Sequence, residues 1–200
     1  MQTFVDIAEV APPRRLSARR SSGNPFLLRE NDLELRLASS RSERIEVQRL
    51  RFEVFTLELQ LGLTSSLASG LDQDVHDGYC DHLLVVDTDR DCLVGTYRLL
   101  SFDHVPSFGF YSESEFNLTN VKRSGLRLLE LGRSCVALEY RDGRMISLLF
   151  RGIAEYLRRT NADALMGCAS IHGTDLPELA SIQEMLCRRF MADPELRVTP

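Results

Sequence analysis

The chain has 200 residues, of which 44% are hydrophobic and 26% charged, and it carries a formal net charge of −5. These values fit one soluble globular domain with or without a tail, and the acidic balance gives no global reason to expect a nucleic-acid partner. No apolar run approaches the ~18 residues that span a bilayer, and residues 1–30 lack a signal-peptide apolar region, so a cytoplasmic protein is expected.

Residues 1–31 read as a poorly ordered basic arm. Pro12, Pro13, Arg14, Arg15, Arg19 and Arg20 lie among Ser and Gly and bury little apolar area. Such an arm is either a solvated tail or a tether for an acidic partner or an anionic membrane surface. Residues 32–200 read as the folded domain. Between Asp32 and Ala38, Leu33, Leu35 and Leu37 alternate with Glu34 and Arg36, the pattern of a half-exposed strand. Ser39 and Ser40 offer an N-cap, and a helix is expected over 42–61 with Ile45, Leu50, Val54, Leu57 and Leu61 on its apolar stripe. Arg51 and Phe55 stand four apart and share a face. Taken alone, Arg51 reads equally as an ordinary surface charge.

Gly62 to Gly78 is a long loop with Asp72, Asp74 and Asp77. Loops of this length in compact domains are usually functional or disordered, and the aspartates suit a cationic group, a metal or plain solvation. Calcium is disfavoured because the EF-hand spacing is absent. Leu83–Asp87 and Cys92–Ser101 read as strands joined by a turn, hence a hairpin, with Arg98 late in the second. Residues 102–125 are irregular, and their aromatics suggest a packed excursion over the sheet.

Leu126 to Val136 is the most apolar stretch and reads as a central strand buried on both faces. Glu130 and Arg133 interrupt it, with Gly132 between them marking a bulge or a close backbone approach. Two buried charges in such a strand either pair with each other or line a cavity. Then comes Arg141-Asp142-Gly143-Arg144, a turn leading into a helix over 145–160, a geometry that favours phosphate. A strand over 163–170 follows by helical crossover and should run parallel to the central one. The last helix is expected over 176–191. The five cysteines show no CxxC spacing, so neither zinc nor a disulfide framework is expected, and Cys135 and Cys168 read as small core residues.

The element order resembles the N-acyltransferase fold of the GNAT superfamily: α/β (α+β), a mixed twisted sheet with helices on both faces. Arg51-Phe-Glu-Val-Phe55, the loop with Asp72 and Asp74, Gly95-Thr-Tyr-Arg98, and Glu130-Leu-Gly-Arg-Ser-Cys-Val136 resemble the autoinducer (acyl-homoserine-lactone) synthase branch. Asp77-Gly-Tyr-Cys-Asp-His-Leu-Leu-Val-Val-Asp87, Phe110-Tyr-Ser-Glu-Ser-Glu-Phe116 and Leu165-Met-Gly-Cys-Ala-Ser170 are more similar to the ornithine N-acyltransferases of ornithine-lipid synthesis, often labelled hemolysin-like. The resemblance spans about residues 27–190.

It implies transfer of a 3-hydroxyacyl chain from the phosphopantetheine thioester of an acyl carrier protein to the α-amino group of L-ornithine. No bound cofactor and no metal are implied, and peripheral contact with membrane lipid at the inner membrane is. By the same resemblance Glu130 is the catalytic carboxylate. Asp72 and Asp74 meet the cationic amino acid, and Arg98 and Arg133 hold the acceptor loop and the acyl-carrier end of the site. Arg51 and Phe55 shape the acceptor pocket, and Arg141, Gly143 and Arg144 receive the phosphopantetheine and its carrier. The alternatives are an acyl-homoserine-lactone synthase using S-adenosylmethionine, another N-acyl amino acid synthase, or an inactive binding module. The absence of Trp weakens the first of these. The resemblance also leads one to expect final strands after the last helix, which a sequence stopping at Pro200 lacks.

Overall fold

The computed structural model describes residues 27–62, 65–171 and 173–200. Its strands are β1 (Leu27–Glu30), β2 (Leu33–Leu37), β3 (Asp81–Asp87), β4 (Cys92–Ser101), β5 (Leu128–Val136) and β6 (Ala164–Met166). Its α-helices are α1 (Arg41–Arg51), α2 (Ser66–Ser69), α3 (Thr119–Arg123), α4 (Arg144–Thr160) and α5 (Leu176–Phe190). The strands form one sheet in sequence order. Each neighbouring pair is antiparallel except β5–β6, which the α4 crossover makes parallel.

Leu27–Glu30, assigned to the basic arm by composition, instead forms the outer strand of a hairpin with β2. The rest of the expected arm, with its arginines, lies outside the described residues. A second departure lies on β2 itself. Glu34 and Arg36 are only 5% and 8% exposed. Glu34 accepts hydrogen bonds from Arg29 at 2.9 Å and from Arg36 at 3.2 Å, and Arg36 pairs with Glu43 of α1 at 2.6 Å. The side chains alternate as expected, but both faces are covered: a charged ladder stands where solvent was expected.

That ladder also shows how the layers stack. Successive strand residues point to opposite faces. Leu35 packs beneath Gly152 of α4, while its neighbour Arg36 reaches α1. The two helices therefore cover opposite faces of the sheet. Between α4 and the sheet lies the main apolar core, which includes Leu35, Leu83, Val85, Met145, Leu148, Leu149 and Ile153.

Ser40 caps α1 as expected, its hydroxyl accepting from the Glu43 N–H at 3.2 Å. The helix does not continue uniformly to residue 61. After Arg51 it widens into a π-helical segment, Phe52–Glu58, whose end is marked by the Leu59 N–H donating to Val54 O at 3.0 Å. Such turns insert one extra residue per winding and change which side chains share a face. Here Val54 stays buried in the core while Phe55 turns to the edge of a cleft.

Strand β6 is shorter than expected. It pairs with β5 only through Leu128, Leu129 and Glu130, opposite Ala164, Leu165 and Met166. Beyond that point the two strands fork. At the vertex Gly167 lies so close to β5 that an added Cβ would stand 2.4 Å from Leu131 O.

Candidate active site

Beneath the fork lies a closed network of charge. Arg51 ends α1 with no exposed surface. Its Nε donates to Asp72 at 2.8 Å, and Nη1 and Nη2 donate to the two oxygens of Asp77 at 2.7 and 3.1 Å. Arg98 of β4 donates to both oxygens of Asp74 at 2.7 Å. Arg133 of β5 completes the set more loosely, 3.7 Å from Asp72 and 4.0 Å from Asp74.

Three guanidiniums thus face three carboxylates, and the loop that carries the aspartates is pinned to the sheet by them. Burial is the largest single influence on Asp77 and pulls against its charge, but the hydrogen bond and charge of Arg51, the charge of Arg98 and the Asp74 N–H together hold the carboxyl below the usual range. Burial likewise opposes the charge of Arg98, and the hydrogen bond and charge of Asp74 together with the charge of Asp77 more than restore it. His82, buried beside Asp77, is pushed down by burial to about 4 and is neutral at physiological pH.

Above the network β5 carries the bulge that Gly132 suggested. The pairs Thr96↔Cys135 and Arg98↔Gly132 leave Tyr97 alone on β4 opposite both Arg133 and Ser134. Arg133 takes up the extra residue at φ +49°. A non-glycine residue in the left-handed region costs roughly 1–3 kcal/mol and recurs at functional sites. The bulge turns the Arg133 side chain into a cleft, with its Cζ 5.7 Å from the Phe55 ring centre and 6.0 Å from that of Tyr111.

This cleft, of about 330 Å³, occupies the fork between β5 and the segment after β6. Arg98, Gly132, Arg133 and Ser134 form one side, Cys168 and Ser170 the other, and Phe55, Tyr111 and Glu115 the rim. A second trough of about 460 Å³ shares Phe55, Leu59 and Ser134 with it and leads past Val136 and Arg141 to Gly143. Gly143, at φ +86°, is the N-cap of α4. The two spaces together make one groove from the bulge to a helix N-terminus.

The expected residues therefore separate into three groups. Phe55, Arg98 and Arg133 line the cleft, and Arg141 and Gly143 line the trough. Arg51, Asp72 and Asp74 belong to the charge network beneath, where the aspartates are matched by the chain's own arginines. Glu130 and Arg144 stand apart from both spaces. Glu130 is 5% exposed and accepts three hydrogen bonds, from the Tyr111 N–H at 2.9 Å, the Ser112 N–H at 2.7 Å and the Ser112 hydroxyl at 2.6 Å. Arg144 is exposed and pairs with Asp142.

Reading the sequence alone missed Asp77 as the centre of the network, and Tyr111, Glu115 and Cys168 as cleft residues. The segment holding Tyr111 and Glu115 was noticed only as a motif. Its place at the rim follows from the Glu130 anchor, a contact no spacing announces. Cys80 and Cys135 are pushed up to about 12 by burial, and Cys168 is also raised by burial, so all three remain thiols. Among the described residues, no group of three His, Cys, Asp or Glu side chains is placed to hold a metal ion, and no helix is long and apolar enough to cross a membrane.

The sheet is thus forked at its parallel pair, with a cleft at the fork and a groove running to a helix N-terminus. Residues 50–151 match the acetyltransferase (GNAT) domain, and the chain belongs to that family. It is 44% identical over 163 residues to an L-ornithine N(alpha)-acyltransferase of Brucella abortus (strain 2308), an alignment covering 76% of this chain and 58% of that protein. It is 39% identical over 180 residues to a protein of the same name from Agrobacterium fabrum (strain C58 / ATCC 33970), covering 84% of this chain and 61% of that protein. The chain thus spans about half to two thirds of the length of the curated relatives it matches. Among solved structures it is similar in fold to FeeM, an N-acyl amino acid synthase from uncultured soil microbes, with a TM-score of 0.52, 16% identity and 77% of each chain covered.

Proposed function

We propose that this chain carries the transfer site of an L-ornithine Nα-acyltransferase. It moves a 3-hydroxyacyl group from the phosphopantetheine thioester of an acyl carrier protein to ornithine, giving a lyso-ornithine lipid. The observation that carries this reading is the identity of 38–44% to four proteins of that name. The geometry supplies a consistent chemistry.

The acceptor's α-amine loses its proton to solvent and attacks the thioester carbonyl. A C–N bond forms, the C–S bond breaks, and the departing thiolate takes up a proton. Charge develops on the carbonyl oxygen, which needs donors already aimed at it. Backbone N–H groups of β5 beyond Glu130 have lost their β6 partners at the fork and suit that task. Arg133, 17% exposed at its side chain and only loosely paired, suits the acceptor's α-carboxylate. The pantetheine arm runs along the trough, its phosphate near Gly143 and Arg141, where the helix N-terminus favours an anion. Arg144 meets the acidic carrier.

In this scheme Glu130 is a positioning residue. Its oxygens are taken up holding the Tyr111–Ser112 corner, and that corner forms the cleft rim. Arg51, Asp72 and Asp74 keep the floor rigid beneath Arg98 and Arg133. The product is an amphiphile, so we place the reaction on the cytoplasmic side, peripheral to the inner membrane. The test incubates the protein with 3-hydroxyacyl carrier protein and a panel of amino acids plus S-adenosylmethionine, reading products by mass. Acyl-ornithine is expected; acyl-homoserine lactone or no product removes the reading.

A further inference from the structure

The carboxylates around the cleft differ in what is left for a ligand. Asp77 gives both oxygens to Arg51, Asp74 gives both to Arg98, and Asp72 gives Oδ1 to Arg51 and is fully buried, out of a ligand's reach. Glu130 is spent on the Tyr111–Ser112 corner. Glu115 alone among these acids lines the cleft, is exposed, and forms no salt bridge among the described residues. Its neighbours are the Tyr111 hydroxyl and the Cys168 thiol, both neutral at physiological pH. Among the described residues, no cationic side chain pairs with it as the arginines pair with the aspartates.

Glu115 and Arg133 share Tyr111 as a neighbour. The Tyr111 ring centre lies 6.0 Å from the Arg133 Cζ, and the Tyr111 hydroxyl meets Glu115. The cleft therefore holds a guanidinium and a carboxylate that both approach Tyr111 without pairing with each other. A molecule with a carboxylate at one end, an ammonium at the other and a reactive amine between complements that pair. We propose that Glu115 selects the acceptor by holding the distal ammonium of a basic amino acid, with Arg133 on its α-carboxylate. This rests on the N-acyltransferase reading above and assigns the residue that makes the site prefer a cationic acceptor.

The experiment compares L-ornithine with L-norvaline, which has the same carbon chain without the ammonium, in wild type, Glu115→Gln and Glu115→Lys. Acylation of each is followed by mass with 3-hydroxyacyl carrier protein as donor. In Glu115→Gln the kcat/KM ratio of ornithine to norvaline should fall about tenfold or more through KM for ornithine, with norvaline unchanged. In Glu115→Lys the preference should reverse. An unchanged ratio, or both acceptors falling together as they would for a general base or a structural residue, overturns the proposal. Donor-free calorimetry separates this result from the parent reading. If wild type yields no acyl-ornithine, the parent reading fails, yet ornithine binding weakened in Glu115→Gln still supports the assignment. Equal binding to wild type and variant, or none to either, overturns it.

Discussion

Helices α4 and α5 both follow strands of the parallel pair, and both carry an apolar stripe, but only one is buried. Over 17 residues α4 sets Met145, Leu148, Leu149, Gly152, Ile153 and Tyr156 against the sheet. Over 15 residues α5 buries none, and Leu176 and Phe190 remain 76% and 71% exposed. The difference lies in the neighbouring sheet. Helix α4 lies across β2, β3 and β4, whereas α5 follows the three-residue strand β6 at the sheet edge. Periodicity states that a stripe exists; the width of sheet beneath it decides how much the stripe contributes.

The contrast can be broken or sharpened by substitution. The largest effect is expected in the sealed half, at Arg51→Met. It leaves Asp72 and Asp77 buried with only their longer contacts to Arg133 and Arg98, and breaking a buried pair costs about 3–5 kcal/mol. Urea unfolding should show that loss, together with loss of acylation as the floor under Arg98 and Arg133 gives way. A midpoint close to wild type would mean that the network can be opened cheaply.

Next comes Leu149→Ala on α4. Removing a fully buried leucine costs about 2–5 kcal/mol, read by the same unfolding curve. A slightly smaller effect is a pH dependence. His82 sits in the fold with its affinity for protons lowered from 6.5 to about 4, so the unfolded chain binds the proton more tightly. Its stabilisation is fully present above about pH 6.5 and is lost as the pH falls toward about 4, by roughly 2–3 kcal/mol. Urea midpoints between those limits should slope accordingly, and His82→Gln should flatten the slope. Smallest of all is Phe190→Ala on α5, which should change stability by less than about 0.5 kcal/mol. A loss comparable to that of Leu149→Ala would show that α5 is covered by packing in solution.

Much of this architecture was legible in the residues. The Ser40 cap, the β3–β4 hairpin, the bulge at Gly132 and the parallel run of β5 and β6 each follow from local chemistry or from a connection rule. What was not legible depends on contacts between distant segments. The family resemblance singled out Arg51, Asp72, Asp74, Arg98 and Arg133, but not that they would neutralise one another. Glu130 looked catalytic because a carboxylate in an apolar strand demands a partner. The partner is the backbone of residues 111 and 112, which sequence spacing does not reveal. Glu115 stood out only as part of the Phe110–Phe116 motif, with no role attached to it. The charged ladder on β2 read as a wet face, because alternation records polarity and not what lies above it.

The π-helical winding after Arg51 has a consequence for how such a chain can vary. Deleting one residue within 52–58 would restore the ordinary pitch and swing every later side chain by about 100° around the axis, while Arg51 and the strands stayed in place. The aromatic wall presented by Phe55 would be exchanged for another residue in one step. A length change there acts as a dial on the shape of the chamber, turned independently of the framework that supports it.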